Sequence, residues 1–197
     1  WQISLQRKIT KELAVISKTA LKFTNMNEFI EESKNKRSKE RDITFHYTNP
    51  EMVRDLVRLI PINETDTILD AGSGKNKVWY NAIQNTVVEK YECEIEDGCD
   101  FLTQWGKKVS WVIGNPPFSI GWKFLEKATD IADKGIAFLG NINFINCLNQ
   151  NRLGILKEKG WYINRIHIVS DKRWFGRYYF IIFTKDKNEL FSWNKKS

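Results

Sequence analysis

Short apolar runs alternate along the chain with segments whose apolar residues recur at helical spacing. The apolar runs have the length and composition of buried strands; they cover residues 67–71, 87–95, 109–114, 135–139, 161–169 and 178–184. Four helical segments are predicted. The first starts at Pro50 and is ended by Pro61, and the others cover residues 76–84, 120–132 and 144–159. Strands alternating with helices predict an α/β sheet. The last two strands leave no room for a helix between them, so we expect an antiparallel hairpin at the edge of the sheet.

A basic helical arm is predicted ahead of this domain, over residues 1–41. Apolar residues at helical spacing (Ile9, Leu13, Ile16 and Ala20) indicate an amphipathic helix. The arm contains ten Lys or Arg and five Glu, so it carries +5 of the chain's net charge of +7. Charge of this sign favours a polyanionic partner such as a nucleic acid. The arm either grips such a partner or packs on the main domain, which we place at 42–197.

The remaining composition narrows the class of protein. No apolar run has the ~20 residues that a membrane-spanning helix needs, so no membrane partner is expected. The three cysteines (Cys93, Cys99 and Cys147) show no CxxC spacing, and the chain has two histidines, so a metal site is not expected. Reduced thiols, and with them a cytoplasmic location or a nuclear one in a eukaryote, are the default expectation.

The segment after the first strand, Asp70-Ala-Gly-Ser-Gly74, has the form of a ligand-binding turn. Its two glycines allow a tight turn and a close approach of the backbone to a ligand. A P-loop is excluded because Asn76, and neither Ser nor Thr, follows Lys75; the dinucleotide fingerprint is excluded because position 77 is Lys. The leading carboxylate favours a ligand that carries positive charge.

Acidic side chains also follow the second predicted strand. Glu94 has apolar neighbours on both sides, and a carboxylate at this point of a nucleotide-binding α/β fold accepts both hydroxyls of a ribose. Glu96 is the alternative. Asp100 and Phe101 follow a predicted turn and can meet an adenine ring by a hydrogen bond and by stacking, although Phe101 equally fits the core.

The third predicted strand delivers the chain to Asn115-Pro116-Pro117-Phe118. Two prolines in succession prevent both strand and helix from continuing. An amide side chain, a fixed carbonyl and an aromatic ring are therefore displayed together at a strand's carboxyl end. Ligands of open α/β sheets bind at that edge.

Taken in order, these motifs resemble those of amino-methyltransferases that use S-adenosylmethionine. The matching segments are TFHYTNPEMV, ILDAGSG, CEI, CDF, WVIGNPPFS and RWFGRYYFIIF. The likeness is greatest to DNA adenine-N6 methyltransferases in which the motif for the cofactor's methionine end precedes the glycine loop. It implies a Rossmann-like class I methyltransferase sheet with helices on both faces, a C-terminal antiparallel hairpin, and S-adenosyl-L-methionine as cofactor.

The resemblance also implies roles for individual residues of the cofactor site. One departure is an additional residue, because the usual Thr-Pro is here Thr48-Asn49-Pro50. The implied contacts are Tyr47, Thr48 and Asn49 with the methionine end, Asp70, Gly72 and Gly74 with the amino-acid moiety, Glu94 with the ribose, and Asp100 with Phe101 at the adenine.

The NPPF motif suits transfer of a methyl group to the amino group of a base, whose lone pair is delocalised into the ring. The Asn115 side-chain oxygen and the Pro116 carbonyl can accept the two amino hydrogens and localise that lone pair, while Pro116 and Pro117 keep the acceptors rigid. Phe118 offers a stacking face to a base removed from its helix. The resemblance also implies adenine over cytosine-N4, because in that family Ser is more typical than Asn at the first position of cytosine-N4 enzymes.

Substrate contacts are expected from the segment before the last strand. Trp174 or Phe175 would supply a second stacking face, and Lys172, Arg173 and Arg177 would meet phosphates. Adenine N6 in DNA is the first expectation for the substrate. The alternatives are adenine N6 or guanine N2 in RNA, or a catalytically silent subunit that binds nucleic acid. Target recognition would come from the arm, from residues 172–177, or from a partner subunit or second copy, or the protein would hardly recognise a target sequence at all.

Overall fold

The computed structural model describes residues 48–83, 89–170 and 176–187, which contain a six-stranded mixed sheet. The strands are β1 (Thr67–Ala71), β2 (Glu89–Cys93), β3 (Val109–Gly114), β4 (Ala132–Asn141), β5 (Tyr162–Val169) and β6 (Tyr178–Thr184). They lie in the order β2-β1-β3-β4-β6-β5. The first four are parallel, and β6 is antiparallel to both of its neighbours. The predicted α/β sheet and terminal hairpin are confirmed; the arm predicted at 1–41 lies outside the described residues.

The helices of the described ranges are α1 (Pro50–Val57), α2 (Val78–Ala82), α3 (Gly121–Ile131), α4 (Ile142–Cys147) and α5 (Gln150–Glu158). α1 starts where the sequence predicts, because the Asn49 side chain accepts a hydrogen bond from the Glu51 N–H (3.1 Å) and Pro50 fits the first turn. None of these helices is long and apolar enough to span a bilayer.

Several predicted boundaries differ from the structure, and the causes of three differences are clear. The helix predicted over 144–159 is two helices, because Asn149 caps α5 by accepting from the Arg152 N–H (3.1 Å). α2 begins only at Val78, after Lys77 in a left-handed conformation (φ 47°). β4 starts directly after α3 and is longer than predicted. Asp133 and Lys134, near its start, are polar and exposed, so the sequence pattern does not show that they belong to the strand.

Hydrophobic side chains of the central strands alternate between two cores, one on each face of the sheet. On one face Ile68 and Ile113 pack with residues of α1 and α2. On the other, Leu69 and Val112 pack with residues of α3, α4 and α5. Helices therefore cover both faces, as expected.

One expectation about the cysteines is wrong: Cys93 and Cys99 form a disulfide, with Cα atoms 5.2 Å apart. A 3₁₀ turn at Ile95–Asp97 and the left-handed Gly98 (φ 86°) return the chain toward the end of β2. This reversal, and not a CxxC spacing, brings the two thiols together. Cys147 is a free thiol.

Candidate active site

The glycine loop after β1 is docked on the end of β2. The N–H groups of Gly72 and Ser73 donate to the carbonyl oxygen of Cys93 (2.8 and 3.3 Å), and the N–H of Gly74 donates to Oε2 of Glu94 (2.7 Å). Since Ala71 and Cys93 are paired in the parallel ladder, the loop and the carboxylate emerge at the same edge of the sheet. The structure thus brings together the glycine loop and Glu94.

The geometry favours Glu94 over the alternative, Glu96, as the acid of this site. Glu96 is exposed and lies 3.8 Å from Nζ of Lys75. Lys77, whose left-handed backbone places it beside the loop, binds Glu92 and lies 3.5 Å from Asp97; hydrogen bonding to Glu92 raises the pKa of Lys77. The other acids thus have lysine partners, while Glu94 is turned toward the glycine loop.

Asp70, at the end of β1, is a fully buried carboxyl group (0% exposed). Its Oδ2 accepts from the Tyr80 N–H (2.9 Å), and its Oδ1 has no hydrogen-bond partner among the described residues. Burial raises the pKa of Asp70 to about 8, and the nearby charges of Glu92 and Glu94 act in the same direction against the Tyr80 hydrogen bond. At neutral pH the group is therefore mostly protonated.

The start of the NPPF motif lies against Asp70. Gly114 ends β3 with φ 146°, and a side-chain carbon added there would lie 2.8 Å from the carbonyl oxygen of Ala71 and 3.2 Å from Oδ1 of Asp70. Only glycine fits so close an approach. The next residue, Asn115, has a buried Oδ1 that lacks a partner in the described part of the chain, as does Oγ of Ser73.

These three orphaned atoms point to a ligand. Buried polar side-chain atoms in folded proteins nearly always have a hydrogen-bond partner, since leaving one unpaired costs about 1–3 kcal/mol. Asp70, Ser73 and Asn115 lie at the adjoining ends of β1 and β3, where ligands of α/β sheets bind. A bound molecule would supply the missing partners.

Phe118 begins a 3₁₀ turn, Phe118–Ile120, and packs at the same edge. Its ring centroid is 5.9 Å from that of Tyr178, with the planes inclined at 55°. Tyr178 is the first residue of β6 and is paired with Asn141 at the end of β4. Sequence reasoning gave Tyr178 no role, although it lies within the segment RWFGRYYFIIF; the antiparallel β6 brings its first residue to the carboxyl edge of β4.

The two residues that the sequence assigned to the adenine, Asp100 and Phe101, lie in different surroundings. Asp100 caps a local turn, accepting from the Leu102 N–H (2.9 Å) and the Thr103 hydroxyl (2.7 Å), which lower its pKa. Phe101 is 2% exposed, and its ring packs against Phe124 with centroids 5.0 Å apart. Phe101 is thus a core residue in this structure, with no free face for stacking.

An apolar side chain that sequence reasoning treated only as a neighbour, Ile95, is 68% exposed directly after Glu94.

The remaining predicted contacts are placed as follows. The Asn49 amide caps α1, and Thr48 precedes it, half-buried. Arg177 is exposed just before β6. Tyr47, Lys172, Arg173, Trp174 and Phe175 lie outside the described residues.

Comparison with known proteins identifies the fold. No protein-family model and no curated protein sequence matches the chain. TrmN from Thermus thermophilus superposes with a TM-score of 0.52 at 16% identity, over 70% of this chain and 49% of that chain, so the match spans about half of TrmN. The magnesium protoporphyrin IX methyltransferase ChlM from Synechocystis PCC 6803, with bound SAH, gives 0.53 at 13% identity over 80% and 98%. The 23S rRNA methyltransferase ErmE gives 0.53 at 11% identity over 74% and 71%.

These likenesses agree with the strand order and confirm the predicted Rossmann-like class I methyltransferase fold. In that fold the carboxyl edge of the parallel strands carries the glycine loop, Glu94 and the NPPF motif side by side.

Proposed function

We propose that the chain is an S-adenosylmethionine-dependent methyltransferase that modifies the N6 amino group of adenine in DNA. The observation that carries this proposal is the pair of buried, unpartnered oxygens on Asp70 and Asn115, at adjoining strand ends. One lies at the glycine loop and the other opens the NPPF motif, so a cofactor and an amino group can meet between them.

The residues present fit the cofactor. Oδ1 of Asp70 and Oγ of Ser73 are buried and lack partners within the described ranges, as expected of groups that meet a polar ligand. The acids around the loop suit a cationic molecule. Glu94 would accept the ribose hydroxyls, and the exposed Ile95 would contact the adenine ring. When bound, S-adenosylmethionine supplies an electrophilic methyl group on a positively charged sulfur.

The chain's own part in the reaction is to prepare the amino group. Asn115 Oδ1 and the Pro116 carbonyl accept its two hydrogens, which directs the nitrogen lone pair out of the ring plane. The prolines hold both acceptors in place before the reaction, so little reorganisation is needed. Phe118, braced by Tyr178, stacks on the extruded base. No strong base is needed, because the nitrogen releases its proton only after it has become cationic.

A second candidate is the same transfer to adenine N6 or guanine N2 in RNA. The likeness to ErmE, whose name specifies 23S rRNA, supports testing it. A catalytically silent subunit is disfavoured, since such a protein has no use for an unpaired Asn115 oxygen beside the glycine loop.

The test measures cofactor binding by calorimetry and then the transfer of a labelled methyl group to duplex DNA, single-stranded DNA and RNA transcripts. Transfer to DNA supports the proposal, and transfer to RNA alone replaces it with the second candidate. Tight cofactor binding without transfer to any of these would leave the silent subunit. Absence of cofactor binding contradicts both methyltransferase candidates and leaves only the silent subunit.

A further inference from the structure

Exposed amide side chains line α4 and the start of α5. Asn143, Asn146, Gln150 and Asn151 are exposed, and no side-chain hydrogen bond ties them to other described residues. They differ in this from Asn141 and Asn149, whose amides cap the two helices. With Ile142, which precedes them, these four residues are called the amide edge.

The amide edge adjoins the NPPF turn. A side-chain carbon at Gly121 would lie 2.5 Å from the Phe144 ring, and one at Gly140 would lie 2.6 Å from Cβ of Phe144. α4 is therefore pressed against the beginning of α3, three residues after Phe118. The cap of α4, Asn141, is also the ladder partner of Tyr178, whose ring contacts Phe118.

The charge around the amide edge suits a polyanion. No Asp or Glu occurs from residue 134 to residue 157. Arg152 is held over the Trp122 ring, with the guanidinium carbon 4.9 Å from its centroid, and donates to the carbonyl oxygen of Cys147 (3.0 Å). The cofactor side, by contrast, carries Glu92, Glu94, Glu96 and Asp97. Phosphates would be repelled there and tolerated at the amide edge.

Ile142 gives the edge an apolar element, since it is 48% exposed directly after β4. Exposed aliphatic side chains of this kind act as wedges between bases in proteins that distort nucleic acids. Amides donate and accept at once, so they can meet both phosphate oxygens and base edges. Ile142 stands beside amides that have no side-chain partner among the described residues, and next to the site for an extruded base. This arrangement is suited to contact the nucleotides on either side of such a base.

We propose that the amide edge binds the nucleic-acid strand that carries the target base. This inference rests on the proposed function and deepens it, because it assigns strand binding to a surface outside the basic arm and residues 172–177. Ile142 takes the place next to the extruded base, and Asn143 and Asn146 contact the adjoining nucleotides.

The experiment compares the full chain with a double variant, Asn143→Asp with Asn146→Asp, which keeps size and adds two charges. The control, Asn63→Asp, adds one such charge at an exposed amide ahead of β1, at the opposite edge of the sheet. A third variant, Ile142→Ala, changes no charge. Binding of labelled duplex DNA, single-stranded DNA and RNA is followed by fluorescence anisotropy at low and high salt, together with KM, kcat and calorimetric cofactor affinity.

We expect the double variant to weaken oligonucleotide binding about tenfold at low salt and by less at high salt, because salt screens the added charges. Its KM should rise in parallel, with kcat and cofactor affinity unchanged. Ile142→Ala should weaken binding equally at both salt concentrations, and Asn63→Asp should have no effect.

If the double variant binds oligonucleotides as the wild type does and has the same KM, the amide edge does not bind the strand, while the proposed function stands. An equal loss in Asn63→Asp would also overturn it, since any added charge would then suffice. Failure of the wild type itself to transfer a methyl group to any nucleic acid counts against the proposed function instead.

Discussion

Replacing Asp70 by Asn should stabilise the protein in a way that depends on pH. The carboxyl group is fully buried, and burial raises its pKa to about 8, whereas an unperturbed Asp has a pKa of 3.8. Between these values the unfolded chain loses the proton and the folded chain keeps it. The contribution of Asp70 to stability is therefore greatest below pH 4, falls as the pH rises toward 8, and is level above that.

The size of the effect follows from this difference in pKa. One pKa unit corresponds to about 1.4 kcal/mol, so the contribution lost is roughly 2 kcal/mol at pH 5, 4 kcal/mol at pH 7 and 6 kcal/mol above pH 8. Asn has the shape of the protonated acid and can accept from the Tyr80 N–H, but it does not titrate. The free energy of unfolding of Asp70→Asn should therefore exceed that of the wild type by these amounts.

Urea unfolding of both proteins at pH 5, 7 and 8.5 measures the difference directly. We also expect the variant to bind S-adenosylmethionine more weakly than the wild type, because Asn, unlike Asp70, cannot lose a proton to form the carboxylate that a cationic cofactor would stabilise. A stability difference that stays constant across the three pH values would refute the assignment of a protonated Asp70.

Three further changes test other parts of the structure. Gly135→Ala places a carbon 2.0 Å from the Trp111 ring and should lower the free energy of unfolding by about 3 kcal/mol. The control Gly154→Ala, in α5, where the added carbon meets no atom within 4 Å, should raise it by about 0.5–1 kcal/mol. Equal effects of the two variants would contradict the packing of Gly135 against Trp111. Gly114→Ala should displace the NPPF turn from β1 and lower kcat at least about tenfold. An unchanged kcat would contradict the close approach of Gly114 to Ala71 and Asp70. Alkylation without reductant should label Cys147 alone and after reduction all three cysteines, whereas three labels without reductant would rule out the disulfide.

The sequence predicted the strands well because their signal is local. β1, β3 and β6 have the predicted bounds, since each is a buried apolar run between turn residues. The boundaries that differ depend on single polar residues: Asn149 divides one apolar-periodic segment into α4 and α5 by capping the second. Spacing alone could not show this, because a helix cap and an exposed helical Asn look alike in a sequence.

The sequence predicted which residues form the candidate site better than it predicted their protonation and their burial. Asp70, Glu94 and Asn115 were expected at one edge of the sheet, and parallel pairing brings them there. The protonation of Asp70 depends on burial, which sequence does not report. For Phe101 the sequence allowed either a contact with the adenine or a place in the core, and its position after a capped turn directs the ring into the core.

The central claim is that Asn115 prepares an adenine amino group beside the cofactor. The most direct measurement incubates duplex DNA with the protein and S-adenosylmethionine, digests it to nucleosides and quantifies N6-methyldeoxyadenosine, beside an Asn115→Ala variant. We predict accumulation of the methylated nucleoside with the wild type and none with the variant, although the variant binds the cofactor nearly as well. Methylation by Asn115→Ala at a rate near that of the wild type would contradict the account.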